Sequence, residues 1–304
     1  MQKRYWAFLL LIGLLGSAQT RPVKLRVLGT VQDAGAPQLA CKKKCCHNLS
    51  LLEKDRRKGS SLALQTSEGT QVYLFDASPD LSLQFASLME NGVEHIAGIF
   101  LTHAHVGHYA GLLQLGREAY NSALVPVFAM PRMQAFLQKN APWEQLIQLQ
   151  NIDLKALVAD QQVVLEEGVQ VQPILVPHRD EYSETVAYWI QGPTKSALYL
   201  PDIDKWERWE TPIEEWIRRV DYAFLDATFY DGQEISHRAM DEIPHPFVVE
   251  SLQRFENLST AERQKIYFIH LNHTNPLLQT HNDAYQKVKA LGYHVAERGD
   301  VFSL

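Results

Sequence analysis

Positive charge is scarce in this 304-residue chain: 29 Lys and Arg stand against 35 Asp and Glu, a formal net charge of −6. No basic block runs beyond a few residues. A nucleic-acid partner, bound through its phosphates, is therefore not expected. A small anionic substrate stays open, because a bound metal can supply the positive charge. Long apolar runs are also nearly absent. The one at Trp6–Gly16 falls short of the roughly 20 residues that span a bilayer. Cysteine is rarer still, with three, at Cys41, Cys45 and Cys46. An odd, crowded set makes a poor disulfide framework, and adjacent Cys45 and Cys46 are awkward to bridge. Repeats, linkers and low-complexity stretches are missing. What remains is ordinary globular composition, 46% hydrophobic and 21% charged.

The start of the chain reads as a secretory signal peptide over residues 1–20. Lys3 and Arg4 precede the apolar run, and Ser17-Ala18-Gln19 offers small residues for cleavage. An uncleaved N-terminal anchor is the competing reading. The expectation is a periplasmic or secreted protein with no stable membrane insertion after cleavage. Residues 21–304 then form a single domain with a cysteine-rich insertion at 33–51. An exported protein usually spends cysteines on disulfides. Three thiolates within six residues suit a metal better, given one more ligand from elsewhere.

Strands alternate with helices along the mature chain. Strands are expected at 24–31, 61–65, 71–77, 96–101, 125–129, 163–166, 169–175, 186–190, 197–200, 222–225, 265–271 and near 294–301. Helices are expected at 79–91, 109–121, 131–148, 212–219, 247–255 and 281–291. Many strands with few interposed helices point to two packed sheets flanked by helices, an α/β class.

The strongest chemical signal is Leu101-Thr102-His103-Ala104-His105-Val106-Gly107-His108-Tyr109-Ala110-Gly111, three histidines within six residues just after a strand. His103 and His105 can share one ion, and His108, at the head of the next helix, can face a second. Imidazole suits zinc, iron and manganese-type sites.

HxHxGHxxG resembles the HxHxDH motif of the metallo-β-lactamase fold superfamily, and the resemblance runs along nearly the whole mature chain. It implies an αββα sandwich of two mixed β-sheets. It further implies that Asp76 supports the histidine loop, that His178 and His270 ligate metal, and that Asp202 bridges two ions. The branch resembled is that of pyrroloquinoline quinone biosynthesis protein B (PqqB) and the phosphonate-pathway cyclic phosphodiesterase. Gly35-Ala36-Pro37-Gln38, Asp226-Ala227-Thr228-Phe229, His245-Pro246 and Leu271-Asn272-His273-Thr274-Asn275-Pro276 carry that likeness.

The branch implies a structural zinc held by Cys41, Cys45, Cys46 and His273, with His47 as a competing fourth ligand. Lys42, Lys43 and Lys44 are expected to lower thiolate pKa. His245 is the implied proton donor to a leaving oxygen, with His237 as its rival. His95, His281 and His294 show no pattern of this kind.

Gly107 stands where the family places a metal-binding Asp. The first site keeps His103, His105, His178 and Asp202. The second keeps His108, Asp202 and His270 without its carboxylate. A single-metal enzyme, a loosely held second ion and a lost activity all follow as readings. The leading function is an exported metallo-hydrolase that cleaves phosphodiester-type bonds by metal-hydroxide attack. Its cofactors would be the structural zinc plus one or two divalent ions (zinc, manganese or iron). A PqqB-like metal-dependent oxygenase and a non-catalytic zinc-binding scaffold are the alternatives.

Overall fold

The computed structural model describes residues 22–304 except 48, 67 and 236–238. The expected signal peptide and His237 lie outside the described residues. No described helix is long and apolar enough to cross a membrane.

The first sheet takes β1 (Lys24–Gly29), β2 (Ser61–Gln65), β3 (Gln71–Phe75), β4 (His95–Phe100), β5 (Val125–Ala129) and β6 (Ile152–Ala156). The second takes β7 (Val163–Val164), β8 (Gln170–Leu175), β9 (Val186–Gln191), β10 (Ser196–Leu200), β11 (Tyr222–Asp226), β12 (Ile266–Ile269) and β13 (His294–Val295). The chain then returns to the first sheet as β14 (Val301–Ser303), beside β1. The orders are β14-β1-β2-β3-β4-β5-β6 and β13-β12-β11-β10-β9-β8-β7. Each sheet is antiparallel at one end, through β14-β1-β2-β3 and β7-β8-β9-β10. Each is parallel at the other, through β3-β4-β5-β6 and β10-β11-β12-β13.

The layering follows from period-2 alternation in strands that are apolar on both sides. In β3, Tyr73 and Phe75 face the space between the sheets, where they meet Phe100, Tyr188, Tyr199 and Phe224. Val72 and Leu74 face outward, onto Leu81, Leu88, Leu112 and Met133. In β11, Phe224 points inward while Ala223 and Leu225 face Trp206, Ile217 and Phe255. The result is helix, sheet, sheet, helix.

Several elements differ from expectation. The helix expected over 131–148 is two, Pro131–Lys139 and Trp143–Gln148. Pro142 lacks the amide hydrogen a continuous helix would need. The helix expected over 109–121 is a short α-turn at Val106–Tyr109 running into a 3-10 segment, Ala110–Leu115. The edge strand β6 has no counterpart among the expected strands, because its half-exposed Ile-Asp-Leu-Lys-Ala sequence carries no apolar run.

Candidate metal centre

Side chains that can bind metal gather where strands end. Asp76 follows β3, Thr102 and His103 follow β4, and His178 follows β8. Asp202 follows β10, Asp226 ends β11, and His270 follows β12. Asp76 (φ 66°) and His270 (φ 65°) both adopt the left-handed backbone region. Such a conformation is costly for a side chain with a Cβ and concentrates at functional sites.

The histidine loop is held from beneath by Asp76. The Thr102 backbone N–H (2.8 Å) and hydroxyl (2.9 Å) donate to Asp76 Oδ1. Asp76 Oδ2 accepts from His108 Nδ1 (2.7 Å) and the Tyr199 hydroxyl (3.2 Å). The Thr102 oxygen in turn lies 2.9 Å from His103 Nδ1. These contacts commit Nδ1 of both rings as donors and leave Nε2 of His103 and His108 for a metal.

Asp226 does the same for the other half of the site. The Thr228 backbone N–H (2.9 Å) and hydroxyl (2.7 Å) donate to Asp226 Oδ1. Thr228 Oγ1 lies 2.9 Å from His270 Nδ1, again leaving Nε2 to the centre. Asp226 Oδ2 accepts from the Ile203 N–H (3.1 Å) and from His245 Nδ1 (2.9 Å).

Four groups of ligand atoms result, each within 4.8 Å of one another. The first is His103, His105, His178 and Asp202. Asp202 Oδ2 lies 3.2 Å from His103 Nε2 and 3.6 Å from His105 Nδ1, and Oδ1 lies 3.2 Å from His178 Nε2. His178 Nδ1 faces Asp204 Oδ1 at 3.3 Å, and Arg208 anchors Asp204. The second group is Asp33, His108 and His270. The third is Asp202, Asp226, His245 and His270, so the donor set would also allow His245 to ligate. The fourth is Cys41, Cys45, Cys46 and His273.

Buried polar atoms without partners mark the centre. Asp33 Oδ1, His108 Nε2, His178 Nε2, Asp202 Oδ1 and His270 Nε2 make no hydrogen bond among the described residues. Leaving such atoms dry and unpaired is costly, and a cation shared among them removes the cost. Imidazole and carboxylate donors fit zinc, manganese or iron. Burial, the largest influence on Asp202, would raise its pKa. His178, His245 and His270 outweigh it and hold the carboxyl well below the usual range. His245 is depressed by burial, yet Asp226 and Asp202 together push it up to about 10.

The cysteine loop packs against the segment after His270. All three thiols are free. His273 Nδ1 lies 3.0 Å from Asn272 Oδ1, which commits that nitrogen and turns Nε2 to the sulfurs. His47 is exposed and outside the group. The lysine run affects the thiols unequally. Cys41 is lowered, first by Cys46 and then with help from Lys43, whereas burial raises Cys45 and pushes Cys46 up to about 12. The expectation that the lysines lower the whole cluster is corrected accordingly: desolvation dominates at Cys45 and Cys46.

Sequence reading missed Asp33, Asp204 and the two threonines. Asp33 opens the cysteine-rich insertion, and its carboxylate reaches the centre, 3.2 Å from His108 Nε2 and 3.9 Å from His270 Nε2.

Comparison with known proteins bears on the fold and the family. Coenzyme PQQ synthesis protein B of Nitrosococcus oceani is 27% identical over 312 residues, covering 90% of this chain and 98% of that protein. The Acinetobacter baylyi protein of the same name is 24% identical, covering 90% and 98%. The crystal structure of zinc-bound PqqB from Methylobacterium extorquens superposes with a TM-score of 0.75 at 23% identity, over 92% of this chain and 100% of that one. A new diphosphatase from the PhnP family gives a TM-score of 0.66 at 24% identity, over 93% and 97%. The beta-lactamase superfamily domain profile matches residues 71–299, well over half the chain. On that match the chain belongs to the beta-lactamase superfamily domain family.

Proposed function

We propose that this protein is a metal-dependent hydrolase acting on phosphodiester-type bonds of a small anionic substrate. The observation that carries the reading is Asp202. Its Oδ2 faces His103, His105 and His270, and its Oδ1 faces His178 and His245. A ligand set with a potential proton donor beside it is what ester cleavage with a poor leaving group needs. That a fold neighbour is a diphosphatase adds support.

A divalent ion in this set would supply Lewis acidity and a water whose pKa falls to about 7. The chain's own residues do the rest. Asp76 and Asp226 fix ring tautomers, and Asp204 orients His178. Arg179 brings a guanidinium within 3.5 Å of His105 Nε2, where it can meet substrate charge. His245, its Nδ1 2.9 Å from Asp226 Oδ2 and 3.1 Å from Asp202 Oδ1, is the acid. Water adds its oxygen to phosphorus, the P–O bond to the leaving group breaks, and the departing oxygen takes a proton from the His245 imidazolium. The proton released by water restores the ring.

Purified protein should hydrolyse bis-p-nitrophenyl phosphate under nitrogen and lose that activity to a chelator. Turnover only with Fe(II) and oxygen would favour the oxygenase reading. Metal-replete protein inert in both assays would favour the scaffold. Export is part of the same proposal and rests on the sequence of residues 1–20. N-terminal sequencing of the mature protein tests it.

A further inference from the structure

We infer that Asp33 is the carboxylate ligand of the second metal, delivered from the loop after β1 in place of the residue-107 aspartate of the family motif. The inference rests on the metal-dependent reading above, though not on the choice of substrate.

Three observations carry it. First, Asp33 occupies the space a side chain at 107 would fill. A Cβ built on Gly107 would overlap Asp33 Oδ1 and come within 2.8 Å of Asp33 Cα and 2.9 Å of its Cγ. Gly107 lies in a helical turn, not in the left-handed region, so close approach and not backbone freedom is what requires glycine there. The missing carboxylate and the substitute thus occupy one place.

Second, the carboxylate faces the right atoms. Asp33 Oδ1, His108 Nε2 and His270 Nε2 converge, and each lacks a hydrogen-bond partner among the described residues. The two imidazoles have already committed Nδ1 to Asp76 and Thr228. Asp202 Oδ2, 4.0 Å from His270 Nε2, borders this group of two histidines and one carboxylate. Asp33 thus supplies the one carboxylate, and its negative charge, that the glycine lacks.

Third, the loop is held in position. Val31 bridges Gly59 on one side and Leu271 on the other. The Gln32 N–H donates to Leu271 O (3.0 Å), and the Leu271 N–H to Thr30 O (2.7 Å). Asp33 is thereby fixed beside His270, whose chain neighbour is Leu271. A ligand on a braced segment loses little entropy on binding.

The test is metal content and affinity, measured on the full protein without reference to turnover. Asp33→Ala and the near-isosteric Asp33→Asn should each release one ion per chain in equilibrium with a chelator. The Kd of that ion should rise at least as far as the roughly 10–100-fold seen for lost outer-shell partners. The remaining ions should stay. Asp33→Asn preserves the fold's shape, so a misfolded alanine variant does not decide the matter. Full metal retention with Kd unchanged in Asp33→Asn would overturn the assignment, even if the protein proves an active hydrolase. Loss of one ion would uphold it, even if no phosphodiester is turned over.

Discussion

The Asp33 carboxylate stands in the volume that any side chain at Gly107 would enter, with Asp33 Cα only 2.8 Å from where that Cβ would be. The two positions are 74 residues apart in sequence and belong to the loop after β1 and the turn after β4. Gly107→Ala should therefore damage the protein by displacing Asp33, not by altering backbone freedom. We expect one ion lost per chain and a lowered Tm. Restoring the family residue with Gly107→Asp should bring the same loss, because two carboxylates cannot share one space. Metal analysis and thermal melting of both variants check this. A Gly107→Asp variant with tighter metal and unchanged Tm would contradict it.

His245→Ala should lower kcat by roughly 10²–10⁴ for substrates with alkoxide leaving groups. The loss should shrink for p-nitrophenolate, which departs with little protonation. Metal per chain should not change, although the ring lies among possible ligands. Paired kinetics and metal content separate the two roles. A lost ion would make His245 a ligand.

Asp226→Asn should act through His245 and His270, which it positions by a 2.9 Å contact to His245 Nδ1 and through the Thr228 hydroxyl. We expect kcat to fall with little change in KM, and the fall to shrink with a good leaving group as it does for His245→Ala. Combined with His245→Ala, the second substitution should add much less than its own effect, since coupled residues are non-additive. Full additivity would place Asp226 outside this network.

Cys41→Ser or His273→Ala should lower zinc by about one per chain and lower Tm. A closed Cys3His site contributes folding free energy directly. Native protein that forms disulfide-linked dimers and carries no zinc in this loop would refute the site.

Much of the candidate site is legible in the sequence because the residues that could ligate metal lie near strand ends. His103, His105 and His108 announce themselves by spacing. Asp76, His178, Asp202 and His270 follow short apolar strands, where such a fold collects polar groups. The strands were easy for the same reason: Val72 to Phe75 and Ala223 to Leu225 are apolar on both faces. Asp33 was not legible. Its neighbours Gln32, Ala34 and Gly35 form no ligand pattern, and its role appears only when Val31 pairs with Leu271 across the fold. The bracing role of Asp226 matches that of Asp76, and both open an Asp-Ala-Ser/Thr stretch at the end of an apolar strand, but the histidines each one holds come from distant segments.

The most direct measurement of the account is phosphodiester turnover by one preparation of the full protein, kept under nitrogen, stripped by a chelator and then titrated with a single divalent metal. We predict that hydrolysis of bis-p-nitrophenyl phosphate disappears on stripping and returns as metal is added. Metal-replete protein that leaves the ester intact, or turns over only when oxygen is admitted, would contradict a metal-dependent hydrolase.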